Sequence, residues 1–236
     1  MFAILKCKNL CTFSLQNTLK SGLTIDCYYT TFSGRENFDL EFEGKETDFV
    51  RVENLKHELD QFTISLWVKT TINDKGYFTY TTTAQIKTIL LREHDNKMHF
   101  EIFGTKVEDV FPNVKDGNWH HILINWENVY GKVNIYGDGV LLIGKADVRK
   151  QITISKTGLF YLGQEIKSVD GSSRGKSYIG MMTEFHLWNY VLSDSEFDIV
   201  SKTCHSNMEG NVISWYRDIL PGIEGDVDIH RPSTCA

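Results

Sequence analysis

Alternation with a period of two constrains this chain more than any other feature. Phe62, Ile64, Leu66 and Val68 fall on one face of an extended segment, and Thr63, Ser65, Trp67 and Lys69 fall on the other. Successive side chains of a strand point to opposite faces, whereas a helix would scatter these four apolar residues around its circumference. The pattern returns at Thr88–Arg92 and His99–Phe103, joined by the turn-forming Asp95-Asn96-Lys97. It returns again in His121–Trp126, with Ile122, Ile124 and Trp126 on one face, and in Val133–Tyr136 after Tyr130-Gly131. Asp138-Gly139 is a two-residue hairpin signal leading into Val140–Ile143. Leu159–Leu162 and Thr183–Trp188 complete the set.

One segment reads as a helix. Ser193-Asp194-Ser195-Glu196 has the capping-box spacing, followed by Phe197, Val200 and Lys202 at helical intervals. Many short strands with one short helix point to an all-β, two-sheet antiparallel sandwich and away from a βαβ fold. The 236 residues suit one such domain, and 41% hydrophobic against 24% charged residues supplies a core. No apolar run approaches the roughly 20 residues of a membrane helix. A net charge of −6 lacks the basic footprint of a nucleic-acid binder. Residues 1–36 show no clean periodicity and read as an N-terminal extension of uncertain order, leaving 37–236 as the folded domain. Lys6 and Lys8 interrupt the apolar start before a signal-peptide core forms.

The five cysteines are Cys7, Cys11 and Cys27 at the start and Cys204 and Cys235 near the end. No C-x-x-C occurs and no Cys/His spacing matches a zinc site. The pairing of the first three is open. The last two are either buried thiols or a disulfide closing a loop of about 30 residues, and a disulfide implies an oxidising compartment.

Nothing in the sequence raises catalysis above background. His120 and His121 are strand neighbours, one packed and one exposed, and cannot chelate one metal together. His57-Glu58 lacks the second histidine of a zinc-protease helix, and no G-x-S-x-G, P-loop or G-x-G-x-x-G is present. A glucanase-type site needs two acids on a concave strand, and the strands placed above carry few. Trp126, Trp188 and Trp215 read as core, while Trp67, opposite the apolar row, is a candidate partner surface.

The run Asp116-Gly117-Asn118-Trp119-His120-His121-Ile122-Leu123-Ile124-Asn125-Trp126 resembles a hallmark strand of pentraxin and laminin-G-like jelly rolls. Leu162-Gly163-Gln164-Glu165, Gly180 through Trp188-Asn189 to Leu192-Ser193, and Gly210-Asn211-Val212-Ile213-Ser214-Trp215 resemble later pentraxin motifs in the same order. The resemblance implies a jelly-roll sandwich. The family signature has the form His-x-Cys-x-Ser/Thr-Trp, but here Leu123 stands at the cysteine position and Asn125 at the hydroxyl position. Ser65 replaces the partner cysteine, so both ends of that disulfide are absent together. The Cys204 and Cys235 ending resembles instead the bonded ending of pentraxin-like modules in the extracellular regions of adhesion-type receptors.

The family binds ligands through two calcium ions, each wanting six to eight oxygens. Carried over residue by residue, Glu165 is retained and Ile166 offers only its carbonyl. Lys167 replaces an acid, and Arg174 and Lys176 fall near the following Glu and Gln positions. The family's Asp-Asn pair maps near Gln85-Ile86, and Asp95-Asn96 lies in the turn beyond that strand. Glu165, with Asp170 in the same loop, is therefore the candidate metal set, opposed by cations that repel calcium. Lys167, Arg174 and Lys176 are candidate ligand-binding residues for a phosphate, a sulfated glycan or an acidic protein surface.

The resemblance thus implies a secreted protein or the extracellular part of a membrane protein. The expected function is non-catalytic recognition or adhesion, with a largely degraded calcium site. The alternatives are a calcium-dependent, lectin-like binder of glycans or phosphorylated ligands, and a self-assembling homo-oligomer. Expected partners are a glycan, an anionic ligand or a protein, with no nucleic acid and no membrane span.

Overall fold

In a computed structural model, the described residues are 36–235 except 74, 96, 111–113 and 169. The expected N-terminal extension, with Cys7, Cys11 and Cys27, lies outside them. The strands are β1 (Asp39–Glu43), β2 (Phe49–Glu53), β3 (Gln61–Lys69), β4 (Gly76–Thr82), β5 (Gln85–His94) and β6 (Lys97–Ile102). Next come β7 (Thr105–Val110), β8 (Trp119–Glu127), β9 (Lys132–Gly137), β10 (Val140–Lys145) and β11 (Gly158–Leu162). The chain then forms β12 (Gln164–Ile166), β13 (Arg174–Ser177), β14 (Ile179–Trp188) and helix α1 (Asp194–Lys202), and ends with β15 (Ile223–Glu224) and β16 (Asp228–His230).

Two seven-stranded antiparallel sheets form a jelly-roll sandwich, ordered β10-β9-β8-β3-β14-β1-β16 and β15-β2-β11-β4-β5-β6-β7. β3 and β8 pair in uninterrupted register, with Phe62 opposite Trp126, Ile64 opposite Ile124 and Leu66 opposite Ile122. These inner rows meet Phe78, Tyr80, Ile89, Leu91, Phe100 and Phe160 of the second sheet in one buried core. Each such apolar side chain contributes roughly 1.5–3 kcal/mol of transfer free energy, which is why the period-two pattern dominates the folding of this chain. At Asp138-Gly139 both residues have positive φ, +48° and +78°, as a two-residue hairpin turn requires.

The outer face of the first sheet is not solvated. Thr63, Ser65, His121, Leu123, His186 and Trp188 are buried there. Leu123, Trp188, Leu192 and Val200 form a second cluster, to which Phe197 of α1 and Tyr136 add partly buried rings. The capping box holds the helix start: Ser193 accepts from the Glu196 amide, and Glu196 Oε2 accepts from the Ser193 amide at 2.8 Å. Trp67 is consequently half-buried, with its ring centroid 5.1 Å from that of His121. The helix and the segment after it cover much of the face that carries Trp67, so little of the candidate partner surface there is open. Trp126 and Trp215 lie in the main core and Trp188 in this second layer.

Cys204 and Cys235 form a disulfide. Next to it, Asp39 accepts hydrogen bonds from the Ser233 hydroxyl and from the Thr234 amide at 2.6 Å, tying the tail to β1.

Candidate functional site

The candidate site lies on the outer face of the second sheet, across the sandwich from α1. After β11 the chain must leave the sheet and cross over it. Gly163 makes that turn at φ +86°, and a Cβ there would stand 2.6 Å from the Phe42 ring, so both backbone and space require glycine. The following β12–β13 hairpin lies on β4: Thr79 Oγ1 donates to the Gln164 carbonyl at 3.0 Å and accepts from the Ile166 amide at 3.2 Å. Ile166 is buried with Phe49 and Tyr161. These anchors fix the hairpin and bury Glu165 to 1% exposure.

Glu165 is the hub. Its Oε1 lies 2.8 Å from Lys87 Nζ and 3.8 Å from an Arg92 nitrogen, and its Oε2 accepts from the Lys176 amide at 3.4 Å. Lys87, the third residue of β5, has φ +58° and lies beside a register irregularity between β4 and β5. Burial alone would raise the Glu165 pKa, but the Lys87 ammonium and the Arg92 guanidinium outweigh it and hold the carboxyl below its ordinary value. A methyl at Gly175 would stand 2.5 Å from Glu165 Oε2 and 2.9 Å from Lys167 Cε, so the Lys167 side chain runs beside the same carboxylate. One strand position from Gly76 and Arg92 lies a second ion cluster. There Glu93 meets the fully buried Lys75 at 2.6 Å and Lys115 at 3.1 Å.

Of the residues anticipated from sequence, the fold brings together Glu165, Lys167 and Lys176. Asp170 is elsewhere engaged: its Oδ1 accepts from the hydroxyls of Ser168 and Ser172, each at 2.7 Å, and from the Ser172 amide at 3.0 Å. These bonds shape the loop and lower the Asp170 pKa to about 2. Arg174 lies over the Phe49 ring at 4.3 Å and donates to the carbonyls of Gly171 and Glu46. Lys87 and Arg92 were not anticipated. The available signal was Lys87 itself, the residue after the Gln85-Ile86 pair that stands near the family's Asp-Asn position.

These residues do not fit calcium. The one acid retained from the family's set is already ion-paired, and three of its near neighbours are cations. Among the described residues, no group of three or more His, Cys, Asp or Glu could hold a metal ion. Calcium wants six to eight oxygens, several of them carboxylate.

The two sheets, the crossing hairpin and the capped helix define a pentraxin-type jelly-roll domain. The chain belongs to the Pentaxin family, whose model matches residues 41–230. It is 30% identical over 202 residues to the mouse (Mus musculus) "Sushi, von Willebrand factor type A, EGF and pentraxin domain-containing protein 1", covering 83% of this chain and 6% of that protein. It is also 30% identical over 175 residues to neuronal pentraxin-2 of Cavia porcellus, covering 73% of this chain and 39% of that protein. The chain thus spans well under half the length of these relatives. Among solved structures, the heptameric SAP-like pentraxin of Limulus polyphemus superposes with a TM-score of 0.75 at 20% identity, covering 86% of this chain and 99% of that one. The full extracellular region of zebrafish Gpr126/Adgrg6 gives 0.66 at 20% identity, over 85% of this chain and 27% of that one. At such identities the likeness is one of fold.

Proposed function

We propose that the domain is a non-catalytic, extracellular recognition module that binds a sulfate or phosphate ester directly through Lys167 and Lys176, without calcium. The observation that carries this reading is the charge of the face. Lys87, Arg92, Lys167 and Lys176 lie on or beside the hairpin around the single carboxylate of Glu165, and Lys167 and Lys176 are exposed. An excess of ammonium groups attracts anions and repels divalent cations. Arg174 contributes from behind by bracing the hairpin against Phe49 and Glu46. The Cys204–Cys235 bond supports an oxidising, extracellular setting.

The test is binding to immobilised heparin and to phosphatidylserine vesicles in the presence of chelator. Lys167→Glu combined with Lys176→Glu is expected to abolish retention on heparin, and unchanged heparin and vesicle binding would sink the reading. The calcium-dependent alternative predicts a rise in the unfolding midpoint with millimolar calcium, reversed by chelator and reduced by Glu165→Ala.

Self-association is a second reading. The edge strand β10 exposes Val140 and Leu141, 62% and 53% accessible, and the Limulus polyphemus fold neighbour is heptameric. Light-scattering mass would separate a ring from a monomer.

A further inference from the structure

Beside Glu165, the acid that the family resemblance assigns to a calcium site, the chain places cations of its own. Lys87 Nζ sits 2.8 Å from the retained acid, Glu165, and Arg92 lies 3.8 Å from the same oxygen. A divalent cation in such a place would tie the β5 strand to the β12–β13 hairpin by sharing oxygens. Here an ammonium carried by β5 makes the same tie, with 23% of its side chain exposed and the carboxylate nearly buried at 2%. A pair so largely withdrawn from water is weakly screened and, once one partner is removed, leaves an uncompensated charge.

We propose that Lys87, backed by Arg92, is a built-in substitute for a divalent cation that holds the recognition hairpin in place at any calcium concentration. The substitution explains why the hairpin can carry Lys167 and Lys176 without collapsing. Their charge would disfavour a metal-filled loop, but the Lys87 ammonium and the Arg92 guanidinium face Glu165 from within and leave the outer lysines to attract an anion. Lys87 is in this sense a positioning residue, and its role does not require any particular ligand.

The test is residue-resolved hydrogen exchange of the full chain without anionic ligand, read at the Ile166, Lys167 and Lys176 amides. These bond to Thr79 Oγ1, the Ser173 carbonyl and Glu165 Oε2. In the native protein their exchange should be the same in chelator and in millimolar calcium. Lys87→Met should accelerate it about tenfold or more, because the nearly buried carboxylate keeps only the more distant Arg92, while the Ile64 and Ile124 amides of the central strands stay unchanged. Lys87→Arg should preserve protection. If Lys87→Met loosens the central strands as well, Lys87→Arg decides, because loss of hairpin protection there refutes the tether. Calcium-induced protection in the native protein, or no effect of Lys87→Met at the three amides, would overturn the proposal. A failed heparin experiment would leave it standing.

Discussion

Ser65 on β3 stands directly opposite Leu123 on β8, the two positions where the family signature carries its paired cysteines. Both are buried, Leu123 in the cluster beneath α1 and Ser65 with its hydroxyl 2.8 Å from His121 Nε2. The lost disulfide has been replaced by an apolar contact on one side and a hydrogen bond on the other. Combining Ser65→Cys with Leu123→Cys should form a crosslink spontaneously in air, seen as the disappearance of both thiols. Closing a loop of about 60 residues is worth roughly 4 kcal/mol in the chain-entropy limit. The broken Ser65–His121 bond subtracts about 1 kcal/mol. A double variant that keeps two free thiols would show that the facing side chains are too far apart to bond.

His121 is the buried acid sensor of the first sheet. Burial lowers its pKa from 6.5 to about 3, against a small opposing pull from Asp138. The folded protein resists protonation there while the unfolded chain accepts a proton, so stability is full above pH 6.5 and declines as pH falls toward 3. His120 works in the opposite sense. Burial disfavours its charge, but hydrogen bonds to Asp138 and Asp116 win and raise its pKa, so its contribution is present in acid and lost as pH rises. The His121 shift is the larger of the two, so the His121 effect should dominate. Urea unfolding at pH 7.5 and pH 4.5 should differ by about 2–3 kcal/mol, and His121→Gln should remove most of that difference. Equal pH dependence in the variant would refute the assignment.

The disulfide between Cys204 and Cys235 spans 31 residues and secures the tail that caps Asp39, a fully buried acid. Replacing both cysteines with serine should cost about 3–4 kcal/mol. It should also speed exchange in β16 and β1 before the β3–β8 pair is affected. A variant with an unchanged unfolding midpoint would show that Ser233 and Thr234 alone hold the tail.

Lys75 and Glu93 form a buried ion pair, with side-chain exposures of 0% and 4%. Lys75→Met should destabilise by about 3–5 kcal/mol, because Glu93 loses its nearest positive partner inside the protein. Adding Glu93→Leu should recover part of that loss, since replacing both charges removes the unpaired one. A double variant no more stable than the single would indicate that Lys115, 3.1 Å from the other Glu93 oxygen, is stranded in turn.

Legibility in the sequence followed burial on one face. β3, β8 and β9 have an inner row of large apolar residues, and period-two reading locates them. β4 escapes such reading because it is buried along its whole length: Phe78 and Tyr80 face the core, while Thr79 and Thr81 lie under the hairpin side without contributing an apolar row. β12 and β13 are short and held by Thr79 and by packing of Ile166, so no local pattern announces them. For the candidate site, motif position singled out Glu165, Lys167 and Lys176, which the fold brings together. It also grouped Arg174 and Asp170 with them, and the fold turns both to bracing the loop.

By itself, the sequence determined the sandwich, the capped helix and the family. These are local or periodic properties, written in neighbouring residues. Tertiary structure alone decided that Lys87 reaches Glu165, 78 residues further along the chain. That pairing depends on the hairpin crossing β4 and β5, and in a nearly buried setting it is the three-dimensional neighbour, not the sequence neighbour, that sets the charge a carboxylate can hold.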